Sequence, residues 1–206
     1  YIHSFPTRRS SDLLYGSDGL PTGWQLAGKR DARVMVDGRE LVMEHKTSSE
    51  DLAPDSAYWA RLRMDPQISI YLLSARMVGS RADSVLYNVA RKPTIRLKKT
   101  ETPAVFGERL LGDIQTRPDY YYQRQEIPRL EQDLAEATED VLASVKMVEH
   151  YRRENYWPRN PAACCRFGKC AYWDLCTSGY QAGEPLPAGY TTERIHAELS
   201  IGNDDE

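Results

Sequence analysis

The sequence predicts an α/β fold, a small mixed sheet flanked by helices, on three local patterns. Apolar residues alternate on both sides of Asp37-Gly38, as in a β-hairpin closed by a two-residue turn. Asp65-Pro66 opens a helix, with Asp as N-cap and Pro at the first helical position, and the helical run lasts until Gly79. Residues 84–90 form a further strand that ends at Lys92-Pro93.

The hairpin spans residues 26–47. Ala32, Val34 and Val36 alternate before the turn, and Leu41, Met43 and His45 after it. A two-residue turn sets Val36 opposite Arg39, and counting back sets Asp31 opposite Glu44. Side chains alternate across a strand, so Asp31, Glu44 and Lys46 share one face. The apolar set takes the other face, which is expected to meet the core. From Ile127 a long amphipathic helix is expected, because Ile127, Leu130, Leu134, Ala137, Val141, Val145 and Val148 recur at steps of three and four. The expected organisation is a core over residues 14–125, a C-terminal helix with a cysteine cluster over 126–178, and a mobile tail over 179–206. Residues 1–13 are set apart: 3–13, HSFPTRRSSDL, resemble the translation of a common sequencing adapter.

With 206 residues, 41% of them hydrophobic and 28% charged, the chain suits one soluble domain with a small appendage. No apolar run reaches membrane-spanning length, so no membrane partner is expected. A formal net charge of −3 excludes a uniformly basic nucleic-acid binder and leaves only a local basic groove. There is no P-loop, no G-x-G-x-x-G and no Ser/His/Asp set.

Setting Asp31 opposite Glu44 is locally unfavourable. Two carboxylates about 5 Å apart repel by roughly 3 kcal/mol at an effective dielectric of about 20. A divalent cation between them reverses that sign, since Mg²⁺ takes one or two carboxylates and completes its shell with water and phosphate oxygens. Lys46 on the same face is then placed to orient an attacking water and offset charge on a phosphate. The plainer alternative is a Lys46 salt bridge to both acids on an exposed sheet face.

Gly28-Lys29-Arg30-Asp31 followed by Glu44-His45-Lys46-Thr47 resembles the G-x-x-D and E-x-K motifs of the RecB-like branch of the PD-(D/E)XK nucleases. Gln67-Ile68-Ser69-Ile70-Tyr71 resembles that branch's Q-x-x-x-Y motif, and its two polar residues share a helix face. The resemblance implies a restriction-endonuclease-like core that hydrolyses DNA phosphodiesters with metal-activated water. It implies Mg²⁺ or Mn²⁺ on Asp31, Glu44 and the backbone carbonyl of His45, with Lys46 catalytic and Gln67 and Tyr71 supporting or contacting DNA. The His45 imidazole is expected on the apolar face as a satisfied core histidine. The family also uses an acidic or histidine residue on an earlier helix. About twelve residues between the adapter-like segment and Gly28 are too few for it, so the chain is expected to be N-terminally truncated and weak or inactive alone.

All four cysteines, Cys164, Cys165, Cys170 and Cys176, fall within thirteen residues. Such density points to thiolate ligation in a reducing compartment, by zinc or an iron–sulfur centre, with buried thiols as the plainer alternative. The segment resembles the C-terminal cysteine motif of RecB-like exonucleases of phage, AddB and CRISPR-associated type. That resemblance implies a [4Fe–4S] cluster on Cys170, Cys176 and either Cys164 or Cys165, plus a cysteine upstream of the catalytic motifs, with structural Zn²⁺ as the alternative.

Arg91, Lys92, Arg96, Lys98 and Lys99 form a basic stretch suited either to DNA phosphates or to guarding an edge strand. Tyr120-Tyr121-Tyr122 suits base stacking or, preferably, anchoring of the long helix. The function expected from all this is a cytoplasmic, bacterial or phage-encoded DNA exonuclease, with recombination or helicase proteins as possible partners. A structure-specific endonuclease or nickase and an inactive DNA-binding scaffold subunit are the alternatives.

Overall fold

The computed structural model describes residues 3–5, 9–15, 19–166, 168–181 and 183–192, with side chains at all of these except 3–5, 9–13 and 27–29. The chain forms two compact units, Tyr1–Leu142 and Ala143–Glu206. The first unit is mixed α/β. Its elements are β1 (His3–Phe5), β2 (Arg9–Tyr15), β3 (Pro21–Lys29), β4 (Ala32–Val36), β5 (Arg39–Ser48), α1 (Ala57–Arg61), α2 (Pro66–Met77), β6 (Ser84–Arg91), α3 (Pro103–Thr116), α4 (Pro118–Tyr121) and β7 (Tyr122–Pro128). Helix α5 (Glu131–Arg153) begins in this unit and ends in the second, which also holds α6 (Pro161–Cys164) and α7 (Trp173–Thr177).

The main sheet has the order β1-β4-β5-β6-β7, and β5 with β6 is its parallel pair. The hairpin register is the one the turn demands: Val36 opposes Arg39 and Ala32 opposes Met43. Asp37 and Gly38 both have positive φ, 50° and 77°, as a two-residue hairpin turn requires, and glycine meets that at no steric cost. The hairpin proper starts at Ala32, however. Residues 26–29 belong to β3, which pairs with β2 in a separate two-stranded sheet. Backbone at 3–5 and 9–13, within the adapter-like segment, pairs with β4 and β3.

Both sheet faces are apolar, which corrects the expectation that only the face opposite the carboxylates meets a core. One face carries the row Val42, Val85, Ile127 across three strands, with Tyr87 and Val89 beyond it. These pack with Tyr58, Trp59, Leu62, Ile68, Tyr71, Leu72 and Ala75 from α1, α2 and the 3₁₀ turn Leu62–Met64 that joins them. Each fully buried aliphatic side chain there contributes roughly 1.5–3 kcal/mol. The other face holds a smaller cluster of Val34, Leu41, Met43 and Leu86. Glu44 therefore lies on the face with the larger core.

Helix α2 begins as the sequence predicts: the Asp65 carboxylate accepts from Gln67 N–H at 2.8 Å. It ends with Gly79 in the left-handed region, where Ser80 N–H reaches Ala75 O and Gly79 N–H reaches Arg76 O. The long helix starts at Glu131 rather than Ile127. Residues 122–128 pair with β6 instead, and Ile127 is buried as a strand residue. The helical spacing of Ile127 and Leu130 was coincidental, since a strand needs only alternate positions. Helix α3, without a buried residue, was not read from the sequence, although Thr102-Pro103 caps its start and Phe106, Leu110 and Ile114 recur at helical spacing. The tail expected to be mobile lies partly outside the described residues, at 193–206. Before that, Tyr190 donates from its hydroxyl to Ala171 O at 3.1 Å. Among the described residues no helix is long and apolar enough to cross a membrane.

Arg129 ties these layers together. Its Nε donates to Ser69 Oγ at 3.0 Å, and its Nη2 donates to Leu62 O at 2.8 Å and Asp65 O at 3.2 Å. Arg129→Met keeps the stem but leaves these buried acceptors unpaired. It should cost roughly 3 kcal/mol, read as a lower urea midpoint at unchanged slope.

Candidate metal and nucleic-acid site

The expected site residues converge where β5 approaches α2. Asp31 sits just before β4 and opposite Glu44 by continuation of the hairpin register. Its Oδ2 accepts from the His45 backbone N–H at 2.8 Å, so the carboxylate is tied to the strand that carries Glu44. Glu44 is buried, its side chain 4% exposed. Oε1 pairs with Lys46 Nζ, two residues along the same face, while Oε2 is buried without a hydrogen-bond partner. From α2, Gln67 Nε2 donates to the Tyr71 hydroxyl at 2.7 Å, and Tyr71 faces the same carboxylate. The four-residue spacing of Gln67 and Tyr71 thus serves one helix face turned towards Glu44.

The electrostatics follow from burial. Desolvation raises the Glu44 pKa, Lys46 works against that rise, and Asp31 adds to it. Burial first, then the Glu44 charge, pushes the Tyr71 phenol up to about 12. Tyr71 therefore remains a neutral donor at ordinary pH.

The residues fit a hard divalent cation in two respects. Two carboxylates adjoin, and Glu44 Oε2 is buried outside hydrogen-bond geometry, with the Tyr71 hydroxyl turned towards the carboxylate. A buried acceptor left unpaired costs about 1–3 kcal/mol, and a cation removes that cost. Among the described residues no group of three or more His, Cys, Asp or Glu side chains is placed to hold a metal ion. Such a site would need the two carboxylates plus water, phosphate or main-chain oxygen.

His45 departs from expectation. Its ring lies on the face away from Glu44, but that end of the face is exposed rather than core. Its Nδ1 meets Asn88 Nδ2 at 3.0 Å, and Arg124 Nε donates to Asn88 Oδ1 at 3.2 Å. His45, Asn88 and Arg124 form one row across β5, β6 and β7. Sequence reasoning missed Asn88 and Arg124 because only the β5–β6 and β6–β7 registers bring them beside His45. The basic stretch is corrected too: β6 is an inner strand, so Arg91 guards no edge. Tyr121 is buried and donates its hydroxyl to Asp113 of α3, so the tyrosine run anchors α3 rather than the long helix.

In the second unit all four cysteines are free thiols. They line one cavity of about 330 Å³ with Asn160, Pro161 and Trp173. Cys164 and Cys165 both line it, where only one was expected to serve. Tyr172 N–H donates to Cys170 Sγ at 3.4 Å. Among the described residues no three of the thiols are set to hold one ion.

No family model matches the chain, and no curated protein matches it. Among solved structures, one described as the crystal structure of SSO0001 aligns at 16% identity, a TM-score of 0.41, and coverage of 85% of this chain and 62% of that one. The chain thus spans less than two thirds of that protein, and a likeness of this size carries no weight for fold or function.

Glu44→Gln isolates the burial cost. The folded-state pKa is raised, so folding favours the protonated carboxyl, and the cost is absent at acid pH and present once pH exceeds that pKa. In EDTA, Glu44→Gln should melt above wild type at pH 8 by about 2–4 °C for each kcal/mol relieved, and the gap should close as pH falls towards 4. Millimolar Mg²⁺ should raise the wild-type melting temperature and leave Glu44→Gln and Asp31→Asn unmoved.

Proposed function

We propose that the chain is a metal-dependent DNA nuclease of the PD-(D/E)XK, RecB-like kind, acting on phosphodiester bonds. One observation carries this reading: Asp31, Glu44, Lys46, Gln67 and Tyr71, which resemble that branch's motifs in order, lie around one buried carboxylate with an unpartnered oxygen. Asp31, Glu44 and the carbonyl of His45 would hold Mg²⁺ or Mn²⁺. The ion would activate water and offset phosphate charge when bound. Lys46, which pairs with Glu44 Oε1 on the same face, would offer its ammonium to the attacking water and the phosphate. Tyr71, neutral and braced by Gln67, would keep the Glu44 carboxylate in place, and the second Nε2–H of Gln67 would contact a strand passing α2. The His45–Asp31 bond fixes the second carboxylate at a set distance from the first. Exonuclease action on DNA ends is the preferred mode, in a bacterial or phage setting with recombination proteins.

In a form of the protein that extends upstream of this chain, Asp31→Ala, Glu44→Ala and Lys46→Ala should each lower Mg²⁺-dependent cleavage of labelled DNA at least a hundredfold while far-UV circular dichroism is kept. Cleavage of linear but not covalently closed circular DNA identifies the exonuclease mode, and nicking of circles the endonuclease mode. Wild-type rates in all three variants would remove the assignment. DNA binding without cleavage would favour the scaffold reading.

The shared cavity supports a thiolate-bound group on Cys170, Cys176 and Cys164 or Cys165, a [4Fe–4S] cluster or alternatively Zn²⁺. Elemental analysis of an anaerobically purified form that extends upstream of this chain should find iron, and single Cys170→Ser and Cys176→Ser variants of it should lose the iron and melt lower. Stoichiometric zinc without iron selects the zinc alternative. Metal-free protein with four silent Cys→Ser variants rejects both.

A further inference from the structure

A guanidinium next to the candidate catalytic row is under-bonded for its burial. Arg91 has a side chain 13% exposed, and its ion pair, Nη1 to Asp51 Oδ1, is 3.6 Å long with Asp51 largely in solvent. Its Nε is buried with no hydrogen-bond partner. Arg129, a more deeply buried arginine, instead has acceptors for all three nitrogens. Burying a charge is costly unless its donors are paired, so the Arg91 site is complete only with an added anion.

The stacking around Arg91 prepares it for one. Its guanidinium carbon lies 4.1 Å from the Tyr120 ring centroid. Arg117 stacks on the same ring at 4.2 Å, but its Nε and Nη2 are already bonded to Asp113 at 3.0 and 2.7 Å. Placing the guanidinium over the ring restrains it and leaves its terminal nitrogens to meet the oxygens of a phosphate.

Position supplies the rest. In the parallel pair Lys46 is opposite Val89 and Ser48 is opposite Arg91. Arg91 therefore shares the Lys46 face, one strand over and one pleat nearer the carboxyl ends. Strand spacing and rise put the two Cα atoms roughly 8 Å apart. Ligands of open α/β sheets gather outside the carboxyl ends of parallel strands. Exposed Lys92, Arg96, Lys98 and Lys99 follow directly and add positive field.

We propose that Arg91, held over the Tyr120 ring, is a phosphate-binding subsite for the DNA strand adjoining the scissile bond. The proposal rests on the nuclease reading for the identity of the strand and not for the anion chemistry. The phosphate is either the 5′-terminal monoester or an internal diester.

Fluorescence anisotropy of labelled single-stranded oligonucleotides, 5′-phosphorylated or 5′-hydroxyl, with the full chain in EDTA from 50 to 200 mM salt tests it. Arg91→Ala should weaken binding about tenfold and reduce the salt slope by about 0.7, the share of one phosphate contact on a single strand. Arg91→Lys should keep the slope and lose part of the affinity. Tyr120→Ala should follow it, while Tyr120→Phe binds as wild type. Loss confined to the phosphorylated oligonucleotide assigns the terminal monoester, and equal loss on both assigns the diester. If Arg91→Ala fails to fold, Arg91→Lys and Tyr120→Ala decide. Unchanged affinity in the folded Arg91 and Tyr120 variants, or no wild-type binding at 50 mM salt, overturns the subsite. Mg²⁺-dependent cleavage assayed in parallel separates the two readings. Wild-type cleavage with unaltered binding by Arg91→Ala removes the subsite alone, and Arg91-dependent binding without any cleavage removes the nuclease alone.

Discussion

Glu44 sits on the sheet face that the helices cover, and the rest of the molecule is arranged around that conflict. The parity follows from two registers. The Asp37–Gly38 turn locks β4 to β5, and the parallel ladder locks β5 to β6. Once Val42 is committed to the core with Val85 and Ile127, alternation carries Glu44 and Lys46 onto the same face. A one-residue slip would relieve the carboxylate but send Val42 to the other side. The apolar row therefore keeps the acid buried.

The cost of that burial is distributed among neighbours. Lys46 takes one oxygen of Glu44, and Tyr71 stands against the carboxylate from α2 with Gln67 behind it. Arg129 clamps the start of that helix and the 3₁₀ turn before it, which fixes where Tyr71 can stand. Helix α2 is consequently a structural support and a wall of the site at once. Its apolar residues and its two polar ones are set by the same spacing.

Much of this was legible in the sequence. Turn chemistry at Asp37-Gly38 and capping at Asp65-Pro66 are local rules, and both placed their elements correctly. Local rules also put Asp31, Glu44 and Lys46 on one side, because a hairpin register depends only on its own turn. What depends on distant pairing was hidden. Only the end of β7 was taken into the long helix, because Ile127 fits either period, and the rest of that strand was not read. The second apolar face and the His45–Asn88–Arg124 row need the order of strands, which no local pattern states. The basic stretch and the tyrosine run were separate features until Arg91 met Tyr120, some thirty positions apart.

The bond from His45 N–H to Asp31 closes the open end of the hairpin with a side chain in place of a further backbone rung. Fraying at that end and loss of a carboxylate from the site are thus a single event. The amide of His45 becomes a proton-exchange reporter for the integrity of the site, slow while Asp31 is docked and fast when it swings out. Whatever free energy separates those two local states also bounds how long the two acids stay together.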